Sequence, residues 1–199
     1  MNYLENLVPL ALRFRDTKNL YEKHAQAFIR GTEPMSDDNF WPTVKDLANR
    51  LGRFAPGSGA PTKSVASVIT EFVRSHIFLR SFSETDSSGE LWRWQNLASF
   101  TNTYCVQVTK ISAACGVFND IGLGDDGFGD FCDSFVLMGR KIVRAVQDGT
   151  ISSFHQIRQE IEDEPLRRFV MGENYIADTL RDALVSKLPF IAKQDLSNL

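Results

Sequence analysis

Apolar residues recur every three or four positions along nearly the whole chain, which is the spacing of helices with one buried face. The first such run covers about residues 3 to 30, with Leu4, Leu7, Val8, Ala11, Leu20, Tyr21, Ala25 and Phe28 in phase. Pro9 belongs in its first turns or at a kink, because it has no N–H to donate, and Gly31 is a natural stop. SDDNFWPTVKDLANRLG predicts a second helix, entered at Ser36 or Asp37 and closed at Gly52. The third is expected over about 62 to 82, with Val65, Val68, Ile69, Phe72, Val73, His76 and Ile77 on one broad face.

The fourth, over about 90 to 117, carries Leu91, Trp94, Leu97, Ala98, Thr101, Tyr104, Cys105, Val108, Ile111 and Cys115 at helical spacing. Its stretch TNTYCVQVT is β-branched and alternates, so a strand competes there. FCDSFVLMGRKIVRAVQDG predicts a fifth helix closed by Gly149, and ISSFHQIRQEIEDE a sixth with Ile151, Phe154, Ile157 and Ile161 inward. Pro165 opens a seventh over about 165 to 190, which Gly172 interrupts. The pattern therefore predicts an all-α fold, a single-domain bundle of six to seven helices spanning 1–199. Polar stretches would divide it near 83–90 and give it flexible loops at 53–62 and 119–130.

Composition sharpens this without changing it. The chain has 199 residues, 43% hydrophobic and 24% charged, enough for a self-sufficient core. Fifteen Phe against four Tyr and three Trp is the unusual feature. Each buried ring contributes roughly 1.5–3 kcal/mol. No apolar run reaches membrane-spanning length, and the run from Leu7 to Leu12 is too short and wrongly flanked for a leader. The expectation is a soluble, cytoplasmic protein with no membrane association. Cys105, Cys115 and Cys132 are odd in number and have no zinc spacing, so free and mostly buried thiols are expected.

Candidate chemistry is sparse. The three histidines, His24, His76 and His155, form no H-E-x-x-H or E-x-x-H pair, and none follows an arginine by the four to six residues of a helical ribonuclease pattern. His76 is expected in the core, and His24 and His155 at the surface. Phosphate-loop and nucleophile-elbow motifs are missing. Glu160 and Glu164 share a helix face but read as a solvated acidic end. No catalytic residue and no cofactor are therefore expected.

NDIGLGDDGFGDF, residues 119–131, holds four glycines and four aspartates. Neither register fits a calcium loop, and its negative charge repels phosphate. It reads as a helix–helix linker, with Asp130 or Asp133 capping the helix that follows. The less favoured alternatives are a divalent-cation site at Asp125, Asp126 and Asp130, which would support an enzyme, and an acidic patch for a basic partner.

Two surfaces remain. Residues 40–80 carry six Lys or Arg (45, 50, 53, 63, 74, 80) against two acids, a net +4 in a chain of net −3, so the rest carries −7. DLANRLG followed by TKSVASVITEF resembles the two helices of a helix-turn-helix, although nine residues separate them where the motif has three or four. The resemblance implies nucleic-acid contact through Lys45, Arg50, Arg53, Lys63 and Arg74. LWRWQ places Trp92 beside the stripe of Leu91, Trp94 and Leu97, where Trp92 and Trp94 could anchor a protein partner. A helical interaction protein, a subunit or adaptor with a protein partner or a second copy of itself, is the leading reading. Nucleic-acid binding is the alternative.

Overall fold

The computed structural model describes residues 31–54, 63–75, 88–118, 122, 124–160 and 175–185. Those residues are all-α. In chain order they form α1 (Asp37–Arg53), α2 (Val65–Val73), α3 (Ser88–Cys115), α4 (Asp125–Phe135), a 3-10 turn (Val136–Met138), α5 (Arg140–Gln147), α6 (Phe154–Glu160) and α7 (Ile176–Val185). The run expected over 3 to 30, His24, His76, Ile161, Pro165, Gly172 and the 83–87 break lie outside the described residues.

α3 is the axis of the bundle: α4, α5 and α7 pack on it, α1 packs on α2, and α2 packs on α7. The strand that TNTYCVQVT could have made does not form. Thr101, Thr103 and Thr109 each donate a hydroxyl to the carbonyl four residues back, at 2.7, 2.9 and 3.0 Å. This satisfies their polar groups inside the helix. Leu97, Ala98, Phe100, Tyr104, Ile111 and Cys115 are buried, as helical spacing requires.

The polar positions of α3 that interrupt this stripe hold the extended segment before α1. Ser99 Oγ donates to the Glu33 carbonyl at 2.7 Å, Asn102 Nδ2 to the Thr32 carbonyl at 3.1 Å, and Met35 N–H to Thr103 Oγ1 at 2.8 Å. Residues at i, i+3 and i+4 share a helix face, so the three form one strip of partners.

The rings form the centre. Phe100 lies 5.5 Å from Phe40, 5.8 Å from Phe72 and 6.0 Å from Tyr104, linking α1, α2 and α3. A second cluster joins α4 to α6, with Phe131 at 5.2 Å from Phe135 and 5.0 Å from Phe154. Tilted and edge-on arrangements like these suit the ring quadrupoles. The Phe-rich composition is thus core material here.

α1 enters at Ser36 and carries Asp37 and Asp38 in its first turn, as expected, and ends with Arg53. Asp37 also reaches α5, accepting from Arg140 at 3.1 Å and from Arg144. The helix expected to run on to about residue 82 ends as α2 at Val73, its last turn closed by the N–H groups of Arg74 and Ser75.

Two expectations for the next segment are corrected. The helix begins at Asp125, not at Phe131, with Gly124 in extended conformation at its entry. Asp125 and Asp126 thereby sit in the first turn, where negative charge opposes the helix dipole favourably. Asp130 and Asp133 lie inside that helix and cannot cap its start. The helix expected through Gly149 is also broken: Val136–Met138 tightens to a 3-10 turn and Gly139 takes φ +84° and ψ 172°. That backbone is open to glycine and strained for other residues, so the chain redirects there and restarts as α5. Gly149, at φ +79°, does close α5.

Candidate functional site

The α1–α2 hairpin brings the basic residues close to carboxylates and rings. Arg50 Nε is 2.7 Å from Asp46 Oδ2, one turn back, and its guanidinium lies 5.8 Å from the Phe72 ring centre. Lys63 Nζ is 2.6 Å from Glu71 Oε1 and 4.4 Å from the centre of Phe54. Both cations thus clamp the hairpin, laying charge against an aromatic face. Lys45, Arg53 and Arg74 are exposed, as are the small outward residues of α2, Ala66, Ser67 and Thr70.

Trp92 and Trp94 fall in the first turns of α3, and Asp125 and Asp126 in the first turn of α4, but their side chains lie outside the described residues. Asp130 is half-buried. Among the described residues, no three His, Cys, Asp or Glu side chains are placed to hold a metal ion, and no helix is long and apolar enough to cross a membrane. His155 is exposed and lies 3.0 Å from the Gln159 amide nitrogen.

Among the described residues, the most unusual electrostatic environment lies where α3, α4 and α7 meet. Asp133 on α4 is buried, and its two carboxylate oxygens lie 3.1 and 3.0 Å from the Ala177 N–H in the first turn of α7. A helix start has backbone N–H groups with no partner in the helix itself, and a carboxylate satisfies them well. Here the capping carboxylate comes from another helix, so it also docks α7. On the main-chain side of the same residue, the Tyr104 hydroxyl donates to the Asp133 carbonyl at 2.6 Å.

Burial pushes the Asp133 carboxyl up to about 7, against the Ala177 and Ile176 N–H groups and the Arg181 charge that hold it down, with Asp178 adding to the rise. Burial also raises the Tyr104 hydroxyl well above its ordinary value, helped by Asp133 and Cys105. Arg181 on α7 pairs with Asp178 and reaches toward the half-buried Cys105 thiol, Nη2 to Sγ 3.7 Å.

Sequence reasoning weighed Asp133 only as a cap for its own helix. The available signal was an aspartate at a buried register, set in FCDSFVLM between residues that all face the core. Arg181 carried no signal of its own.

Compared with known proteins, the chain matches no family model, no curated protein and no solved structure.

Proposed function

We propose that the protein is a helical interaction protein, a small subunit or adaptor that works by binding another macromolecule. The observation that carries this reading is Tyr175, 57% exposed at the entry to α7. It stands two residues before Ala177, whose N–H bonds Asp133, so the ring lies at the start of a helix docked on α4. A large amphipathic side chain at the surface is a typical interface anchor. The groups that resemble catalytic ones, Asp133 and Tyr104, are committed to joining helices.

Light scattering on the purified protein, together with cross-linking in extracts of its source, tests the reading. The expected result is a defined oligomer or complex that Tyr175→Ala weakens. A strict monomer that cross-links to nothing overturns it. Trp92→Ala in the same assay tests the other proposed anchor.

A second reading is nucleic-acid binding by the α1–α2 hairpin. The exposed face of α2 favours it, with Ala66, Ser67 and Thr70 flanked by Arg74 and with Lys45 and Arg53 on α1. Its affinity would fall steeply with salt and vanish on charge reversal at Lys45 and Arg74. Failure to bind DNA or RNA at low salt ends it.

A further inference from the structure

The α4–α7 joint differs from the other contacts of the bundle. Among the other described contacts the elements meet through rings and aliphatic side chains, through neutral hydrogen bonds such as Tyr104 with the Asp133 carbonyl and Gln147 with Gln107, or through exposed pairs such as Arg140 with Asp37. At this joint a buried carboxylate from one helix holds the first turn of another. α7 spans Ile176–Val185; of its described side chains Ile176, Ala177 and Leu180 are buried, and Ala183 packs partly against the core. The carboxylate joint adds to that apolar docking at the first turn, and a helix end is where local opening starts.

We propose that this joint is a protonation-operated latch: α7 is seated while Asp133 is neutral and loosens when Asp133 ionises.

The geometry supplies the reason. With α7 seated, the carboxyl is shut from water, and a buried charge is costly without full compensation. The compensation present is partial. Ala177 N–H serves both oxygens, Ile176 N–H adds to it, Arg181 attracts and Asp178 repels. On α3, Tyr104 faces the same residue with its hydroxyl, already given to the main-chain carbonyl, and Cys105 lies against Arg181. On α4 itself, Cys132 is the neighbouring titratable group. α2, which also packs on α7, carries its charges Glu71 and Arg74 exposed to solvent. Once α7 lifts, water reaches the carboxyl and ionisation becomes easy.

The sign follows from linkage. The seated form holds a proton to about pH 7, and the open form releases it at the ordinary value of 3.8. Seating is thus fully favoured below the lower value and weakens as pH rises through the higher one. Between about pH 6 and about pH 8 the opening equilibrium rises about tenfold, because the open form is already ionised there while the seated form gives up its proton only near pH 7.

Hydrogen exchange of the full chain, read at the α7 amides and corrected for intrinsic rates, tests this. Protection of α7 should fall about tenfold from pH 6 to pH 8, while amides in the middle of α3 hold steady. Asp133→Asn, neutral at every pH and still able to accept from Ala177, should remove the dependence. Constant protection of α7 in the wild type overturns the proposal, and so does a dependence that survives in Asp133→Asn. Should that variant fail to fold, carboxyl carbon NMR on the wild type decides. Titration of Asp133 near pH 7 in step with the α7 signals supports the latch, and titration near the ordinary value overturns it.

Discussion

The Tyr104 hydroxyl donates to the main-chain carbonyl of Asp133 at 2.6 Å, with both residues buried, and so ties the axis helix α3 to α4. A carbonyl inside α4 normally accepts from the N–H four residues on. The chain tightens into the 3-10 turn directly after Phe135, which alters the bonding of the carbonyls just before it. The tyrosine supplies a donor where the helix is ending.

Tyr104→Phe should therefore keep the ring packing and lose only this bond. A buried acceptor left without its donor costs about 1–3 kcal/mol. Urea denaturation should show a lower midpoint with an unchanged slope. An unchanged midpoint would mean that water or another donor replaces the hydroxyl without loss.

How legible this was in the sequence depends on the range of the interaction. Helices were readable because burial imposes a local period: Leu97, Tyr104, Ile111 and Cys115 are all buried. The β-branched run 101–109 misleads because propensity counts the side chain's shape and ignores its hydroxyl. In the fold, those hydroxyls are satisfied by the helix's own carbonyls. Gly139 and Gly149 look alike in sequence, and only tertiary direction makes the first a break as well. The joint at Asp133 was the least legible, since its partners Tyr104 and Ala177 are 29 and 44 residues away. The pairing of Arg50 and Lys63 with acids and rings was hidden for a related reason, because a net-charge window counts charges without their geometry.

The glycines of the acidic stretch give a paired test. Gly129 is exposed inside α4, and a Cβ there would meet nothing within 4 Å. Gly129→Ala should stabilise the protein by about 0.5–1 kcal/mol by restricting the unfolded chain. Gly139 has equal room, but its φ of +84° is strained for alanine, so Gly139→Ala should destabilise by about 1 kcal/mol or more. Thermal denaturation of the two variants should shift in opposite directions. A shared direction would contradict the backbone assigned at one of them.

Asp37 accepts from both Arg140 and Arg144, clasping α1 to α5 at the surface. All three side chains are more than a third exposed, at 41, 45 and 53%, so solvent and ions screen the pairs. Asp37→Asn should cost less than about 1 kcal/mol at low salt, and the difference should shrink on going from about 0.05 M to about 0.5 M salt, which shortens the Debye length about threefold. A larger, salt-insensitive loss would show that Asp37 serves the start of α1 more than the clasp.

The thiols yield a prediction about accessibility and one about pH. Cys115 and Cys132 are buried and Cys105 is half-buried. Burial pushes the Cys115 thiol up to about 12. It does the same to Cys132, with Cys115 and Asp133 adding to the rise and a hydrogen bond involving Ser112 opposing it. Since the thiolate is the nucleophile, an aromatic disulfide reagent near neutral pH should label Cys105 first. The other two should react only as fast as the structure opens, and all three at once in denaturant. Rapid labelling of Cys132 in the native protein would mean that α4 leaves α3 far more readily than its packing implies. The pH effect has a definite sign. Unfolding returns each buried thiol to its ordinary 9.0, so the folded state keeps a proton that the unfolded state releases. Their contribution to stability is complete below that value and is lost as pH rises toward about 12. The urea midpoint should accordingly fall in alkaline solution, and less steeply in the Cys115→Ala, Cys132→Ala double variant than in the wild type.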